Sequence, residues 1–211
     1  MKRNLILILA AVAIALSAQA QVESTNWTSS FVNDGVVPDN DPSGLTISEE
    51  VTAWSGMVSN VTVTVNLTGG WNGDVYAYLY HDGEMTVLLN QVGTPANGGL
   101  GYSDSGFNVT FSDAAANSIH TYQNYSPALI AAVLQGTWKP DGSGLSVFNG
   151  AAAAGTWSLY LADKSAGGVM TLNSWGLQMQ VTSVAPEPST LTLLALGGLT
   201  LLRRRKASRA G

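Results

Sequence analysis

Residues 58–89 constrain the fold more than any other stretch of this chain. They read VSNVTVTVNLTGGWNGDVYAYLYHDGEMTVLL. Val61, Val63, Val65 and Leu67 alternate with Thr62, Thr64, Asn66 and Thr68. A period of two marks a strand with one face buried and one wet. Gly69-Gly70 and Asn72-Gly73 then flank Trp71, and Gly and Asn tolerate the positive φ that lets a chain turn back. A hairpin around Trp71 is the expectation. In the second alternation Val75, Ala77 and Leu79 share one face, and Tyr76, Tyr78 and Tyr80 the other. His81-Asp82-Gly83 reads as the next turn, and a third strand runs from Met85 to Leu89.

Two later stretches carry the same signature. Trp157, Leu159 and Leu161 alternate with Ser158, Tyr160 and Ala162; Trp175, Leu177, Met179 and Val181 alternate with Ser174, Gly176, Gln178 and Gln180. Asp163 opens the turn between them. Val109 and Phe111 mark a short strand, as do Leu45, Ile47 and Val51. Residues 21–59 are otherwise polar and read as loop-rich, with turn formers packed into VPDNDPSG at 37–44. Residues 137–150 read as a turn-rich connection ending in buried Leu145 and Phe148. Short alternating strands without an amphipathic helix predict an all-β antiparallel sandwich.

The ends carry addresses. Lys2-Arg3, an apolar run at 5–16 and Ala18-Gln19-Ala20 make a secretory signal, residues 1–20, cleaved after Ala20. Residues 21–184 form the body and 185–211 a separate tail. In the tail, Pro186-Glu187-Pro188 makes a stiff spacer, 189–202 is uncharged and mostly apolar, and Arg203-Arg204-Arg205-Lys206 follows. That order predicts a C-terminal transmembrane helix with its basic end in the cytoplasm. Fourteen helical residues reach only ~21 Å against a hydrocarbon core of roughly 30 Å, so snorkelling arginines and local thinning must close the gap.

Charge separates partner classes. The formal net charge is −5, but seven of nine Lys/Arg lie at the ends. Between residues 21 and 185 only Lys139 and Lys164 oppose thirteen acids, a net −11. Such a body repels phosphates and argues against nucleic acid. No cysteine is present, so neither disulfides nor thiolate metal sites arise.

Catalytic signals are sparse. The two histidines, His81 and His120, stand apart, against the three-ligand need of a catalytic zinc. Asp104-Ser105-Gly106 resembles a nucleophile tripeptide but sits in a Gly-rich loop without a Gly-x-Ser-x-Gly elbow. Asp74, Asp82, Glu84, Asp104 and Asp163 include no pair that spacing selects for glycoside hydrolysis; Asp74 and Asp163 are expected to fix turns through backbone N–H groups. Asp39 and Asp41 alternate on a loop, which suits Ca²⁺, while turn capping is the simpler role. No other cofactor is indicated. The Tyr76/Tyr78/Tyr80 stripe is the candidate binding face: exposed, it would stack on sugars or a partner protein; cover or partial cover is the expectation, since Val75/Ala77/Leu79 is the more apolar set.

The body resembles the P domain (Homo B domain) that follows the catalytic domain of subtilisin-like proprotein convertases. The resemblance runs in order through VPDNDP at 37–42, Trp71 with Gly73-Asp74-Val75, Leu145-Ser146-Val147-Phe148-Asn149-Gly150, Gly155-Thr156-Trp157-Ser158-Leu159 and Leu172-Asn173-Ser174-Trp175-Gly176-Leu177. It implies a jelly-roll-like sandwich without catalytic residues of its own. Gly69-Gly70, His81-Asp82-Gly83 and Met170 depart from the family pattern, which bears on loop shape. The tail resembles a PEP-CTERM sorting signal, with Pro186, Glu187 and Pro188 as its motif, and implies processing by an exosortase. Together they imply an exported, membrane-anchored or sorted envelope protein. The alternatives are an accessory module for a protease, partner protein or exopolysaccharide and, last, a serine-type hydrolase.

Overall fold

The computed structural model describes residues 22–52, 55–96, 98–126 and 133–184, and side chains between 35 and 182. Ala20, the Pro186-Glu187-Pro188 motif and the apolar run at 189–202 lie outside these residues. Among the described residues no helix is long and apolar enough to cross a membrane. The chain divides into a unit of residues 24–182 and a second of residues 1–23 with 183–211, the latter almost wholly outside the description.

The described residues form nine strands: β1 (Val22–Val37), β2 (Leu45–Val51), β3 (Met57–Gly69), β4 (Val75–His81), β5 (Glu84–Asn90), β6 (Phe107–Phe111), β7 (Leu134–Trp138), β8 (Gly155–Asp163) and β9 (Met170–Val184). They form a five-stranded sheet ordered β1-β9-β3-β6-β7 and a four-stranded sheet ordered β2-β8-β4-β5. Both are rich in antiparallel pairs, as alternation foretold.

The alternation also fixes which face of each strand is inward. Val61, Val63, Val65 and Leu67 of β3 join Leu172, Trp175, Leu177, Met179 and Val181 of β9 in one core cluster with Val75, Ala77 and Leu79 of β4 and Trp157, Leu159 and Leu161 of β8. Truncating one such leucine to alanine typically removes ~2–5 kcal/mol.

Several expectations are corrected. β3 and β4 are not a hairpin. Each belongs to a different sheet, so the Trp71 segment is a crossing. The physical reason is the core itself: the two apolar faces meet by packing across the sandwich, not by hydrogen bonding side by side. A 3₁₀ turn, Asn72–Asp74, carries the chain over. Gly73 makes this possible, because a Cβ there would lie 2.5 Å from the Gly101 backbone. Residues 21–59 are less loop-rich than they read, since they hold β1. The antiparallel expectation fails at one edge, where β6 and β7 pair in parallel. A parallel pair needs a connection of a dozen residues or more, and β6 ends at Phe111 while β7 begins only at Leu134. Thr137 and Trp138 therefore lie in β7 rather than in a connection.

The His81-Asp82-Gly83 turn does join β4 to β5, through Asp82 and Gly83 at φ 50° and 86°. His81 pairs with Glu84, the two-residue hairpin geometry that favours Asp-Gly. Leu145 and Phe148 are buried in a 3₁₀ turn. Its leading N–H groups, of Leu145 and Ser146, each donate at 2.8 Å to the Asp113 carboxylate.

Candidate binding face

β4 places Tyr76, Tyr78 and Tyr80 outward because Val75, Ala77 and Leu79 are inward and fully buried. Register then brings a fourth ring to the face. Tyr78 stands directly opposite Tyr160 of β8, and the two rings stack at 4.6 Å and 17°. Tyr76 meets both edge-on, at 6.3 Å from Tyr78 and 6.4 Å from Tyr160. Such contacts add ~0.5–1.5 kcal/mol each beyond burial. Tyr160 was legible as outward from its alternation with Leu159 and Leu161, but only strand pairing joins it to the stripe.

The rings cover one another in part. Tyr76, Tyr78 and Tyr160 are half-buried, whereas Tyr80 is 44% exposed. The turn after β1 completes the cover, with the Tyr160 hydroxyl donating to the Pro42 carbonyl. Burial raises the Tyr160 hydroxyl above its ordinary pKa, helped by Tyr78, Asp41 and Tyr76, so it stays a neutral donor.

The next row across the sheet is Ser48, Ser158, Tyr80 and Met85. Met85 is 48% exposed, and the Ser48 and Ser158 hydroxyls bond at 2.7 Å. Beyond them Thr156 Oγ1 donates to Glu50 Oε2 at 2.7 Å. The face thus has an aromatic centre, one open tyrosine and a hydroxyl and carboxylate border. Aromatic faces stack on the C–H faces of sugars or pack against apolar side chains, and the border offers hydrogen bonds.

The candidate catalytic groups are not assembled. His81 is buried rather than in an open turn, because it ends β4 on the inward side. Its ring stacks on Trp157 at 3.8 Å. Its nitrogens face the carbonyls of Thr156 at 2.9 Å and Ala152 at 2.7 Å, leaving neither for a nucleophile. His120 engages Asp141 at 3.4 Å and the Thr94 carbonyl at 3.0 Å. Burial holds the Asp141 carboxyl above the usual carboxylate range, against opposing bonds from Asn90 and His120. His120 borders a cleft of about 540 Å³ with Tyr102, Thr94 and Asn90. Asp104 accepts from the Tyr122 hydroxyl at 2.6 Å and Gln123 Nε2 at 2.8 Å, which makes it a loop anchor. Among the described residues, no hydrogen bond joins Ser105 to either imidazole.

Of the calcium candidates, Asp41 caps its own turn, accepting from Ser43 N–H at 2.8 Å. That bond lowers its pKa. Asp39 instead reaches the Gly167 N–H at 3.0 Å.

Residues 58–179 match the proprotein convertase P-domain family. The chain belongs to that family. The matched span of the P domain runs from β3 into β9 and includes the tyrosine face. Residues 184–206 match the PEP-CTERM protein-sorting motif, which holds Pro186, Glu187 and Pro188. No curated protein matches the chain. Among solved structures, the serine protease of Aeromonas sobria in complex with a chaperone is similar at TM-score 0.49 and 16% identity, over 82% of this chain and 29% of that one. The same protease alone gives TM-score 0.48 and 16% identity, over 81% and 29%. This chain therefore spans less than a third of those structures, and likeness at that level says nothing of activity.

Proposed function

We infer that this is an exported envelope or surface protein in which a non-catalytic, jelly-roll-like P domain is delivered by an exosortase-type tail. The carrying observation is the sorting motif at 184–206 directly after a P-domain match that ends at 179. Residues 1–20 serve as the Sec signal, cut after Ala20. Residues 21–184 are the module, and 185–211 anchor it in the membrane, basic end in the cytoplasm, until an exosortase acts. The test is made in the native host. Replacing Pro186, Glu187 and Pro188 together by alanine is expected to abolish tail processing and leave the chain in the membrane. Unchanged processing and delivery would refute the reading.

A second reading concerns what the delivered module does: it binds an exopolysaccharide, a partner protein or a protease through Tyr76, Tyr78, Tyr80 and Tyr160. The open Tyr80 beside Met85 favours it. Tyr80→Ala is expected to abolish retention on the host's exopolysaccharide or envelope fraction while shifting stability by no more than ~0.5 kcal/mol. Undiminished retention would remove the tyrosine face as the site.

A further inference from the structure

Asp74 and Asp163 meet at one end of the four-stranded sheet. Val75 and Asp163 are direct partners across β4 and β8, and the Asp74 carbonyl accepts from Lys164 N–H at 2.8 Å. Asp74 is 4% exposed and Asp163 1%. The Oδ2 atom of each is buried without a hydrogen-bond partner. The remaining bonds gather on one turn, 163–168. Ser165 N–H donates to Asp163 Oδ1 at 3.2 Å, the Ser165 side chain favours the ionised Asp74 carboxyl and partly offsets its burial, and Gly167 N–H donates to both Asp39 oxygens at 3.0 and 3.3 Å. Turn fixing, the sequence expectation, thus accounts for one Asp163 oxygen and leaves both Oδ2 atoms unexplained.

Three carboxylates from three distant segments therefore share one turn. Burial raises the Asp74 and Asp163 carboxyls, and the neighbouring acids raise them further. Lys164 is the one base in the turn, and its side chain is exposed. Buried carboxylate oxygens without donors are costly, and adjacent like charges add to the cost. A hard cation removes both penalties at once, since oxygen is the ligand it prefers. The acidic body also concentrates cations around it.

We propose that Asp74 and Asp163 bind a divalent cation, Ca²⁺, through their Oδ2 atoms, with Asp39 adding negative charge from the facing loop. Among the described residues no group of three His, Cys, Asp or Glu makes a full cage. Two carboxylates thus form the protein's inner shell, and water completes it. A ligand-poor, irregular site suits Ca²⁺ over Mg²⁺, which demands a near-ideal octahedron, and belongs with extracellular sites of Kd ~10⁻⁴–10⁻³ M.

The experiment uses the full-length chain in mild detergent, stripped with EDTA, titrated calorimetrically with CaCl₂ and melted with and without about 10 mM Ca²⁺. One saturable site and a rise of roughly 3–10 °C in Tm are expected, with a smaller rise in Mg²⁺. Asp74→Asn and Asp163→Asn keep the shape and remove the repulsion. Each is expected to melt higher than the parent without metal and to lose the Ca²⁺ response. Asp82→Asn, on the exposed hairpin turn, is expected to keep the whole response. The proposal is overturned by absence of saturable binding up to 10 mM, by a full response in both Asn variants, or by loss of the response in Asp82→Asn. If either Asn variant does not fold, Asp39→Asn decides: a weakened affinity supports the site, and an unchanged one overturns it.

Discussion

Asn72 is where the crossing between sheets is fastened, and its removal gives a sharp test of the fold. The side chain is fully buried. Its Oδ1 accepts from Gly106 N–H at 2.7 Å, and its Nδ2 donates to the Gly106 carbonyl at 3.2 Å and the Tyr122 hydroxyl at 3.1 Å. Tyr122 in turn donates to Asp104. Asn72→Ala orphans the buried Gly106 N–H. The Gly106 carbonyl still accepts from Leu134, and Tyr122 keeps Asp104. One orphaned donor plus a small void gives a loss of ~2–4 kcal/mol. Tyr122→Phe removes one bond to a carboxylate and one from Asn72, for ~1–3 kcal/mol. The variants share the Asn72–Tyr122 bond, so the double variant should lose ~0.5–1.5 kcal/mol less than the sum. The assay is urea unfolding of the full-length chain followed by tryptophan fluorescence, with an unchanged m-value required for each comparison. Trp138, with its ring 6.2 Å from Tyr122, reports locally. Losses that add to within ~0.3 kcal/mol would refute the view that these groups act as one network.

Two further outcomes follow from capping and charge. Asp113→Ala removes the carboxylate that caps Leu145 and Ser146, and should cost ~1–2 kcal/mol in the same titration; no loss would mean water replaces the cap. Asp74 and Asp163 have folded pKa values raised chiefly by burial, so their contribution to stability is present below the ordinary value of 3.8 and is lost as pH rises through the raised values. In metal-free buffer the stability advantage of Asp163→Asn over the parent should therefore be larger at about pH 7 than at about pH 4, and an advantage independent of pH would contradict this.

How much was legible in the sequence depended on whether a strand has a wet face. β4 alternates along its whole length, and β3, β8 and β9 alternate over 61–67, 157–161 and 177–181, because one side meets the opposite sheet and the other is more open to solvent. β7 shows none. Leu134 and Trp138 are buried at the ends of a five-residue edge strand, with exposed Gln135, Gly136 and Thr137 between. The hairpin at Asp82-Gly83 was readable because both residues must take positive φ. The crossing at Trp71 used the same residue types for a different end, and local chemistry alone does not tell a turn within a sheet from a step between sheets. His81 reads as a turn residue by adjacency, yet its parity with Val75, Ala77 and Leu79 already places it inward.

The two candidate surfaces were hidden for a single reason: both are made by β4 lying against β8. Tyr78 meets Tyr160 across that pair, and Asp74 approaches Asp163 at its end. These residues are more than eighty positions apart, and no local pattern links them. Once the pairing is fixed, the remaining assignments are parity. Tyr76 and Tyr80 beside Tyr78, and Ser158 beside Tyr160, lie outward, where hydroxyls and rings are tolerated. Asp163 sits on the parity of Leu159 and Leu161, which faces the interior. A carboxylate at a core parity is a local conflict that folding alone does not reward, whereas a tyrosine at a solvent parity is no conflict at all. The acidic end is therefore the more demanding observation of the two. It also predicts separability: Asp163→Asn should leave Tyr80-dependent retention intact, and Tyr80→Ala should leave the Ca²⁺ response intact, because the sites share a strand pair without sharing a side chain.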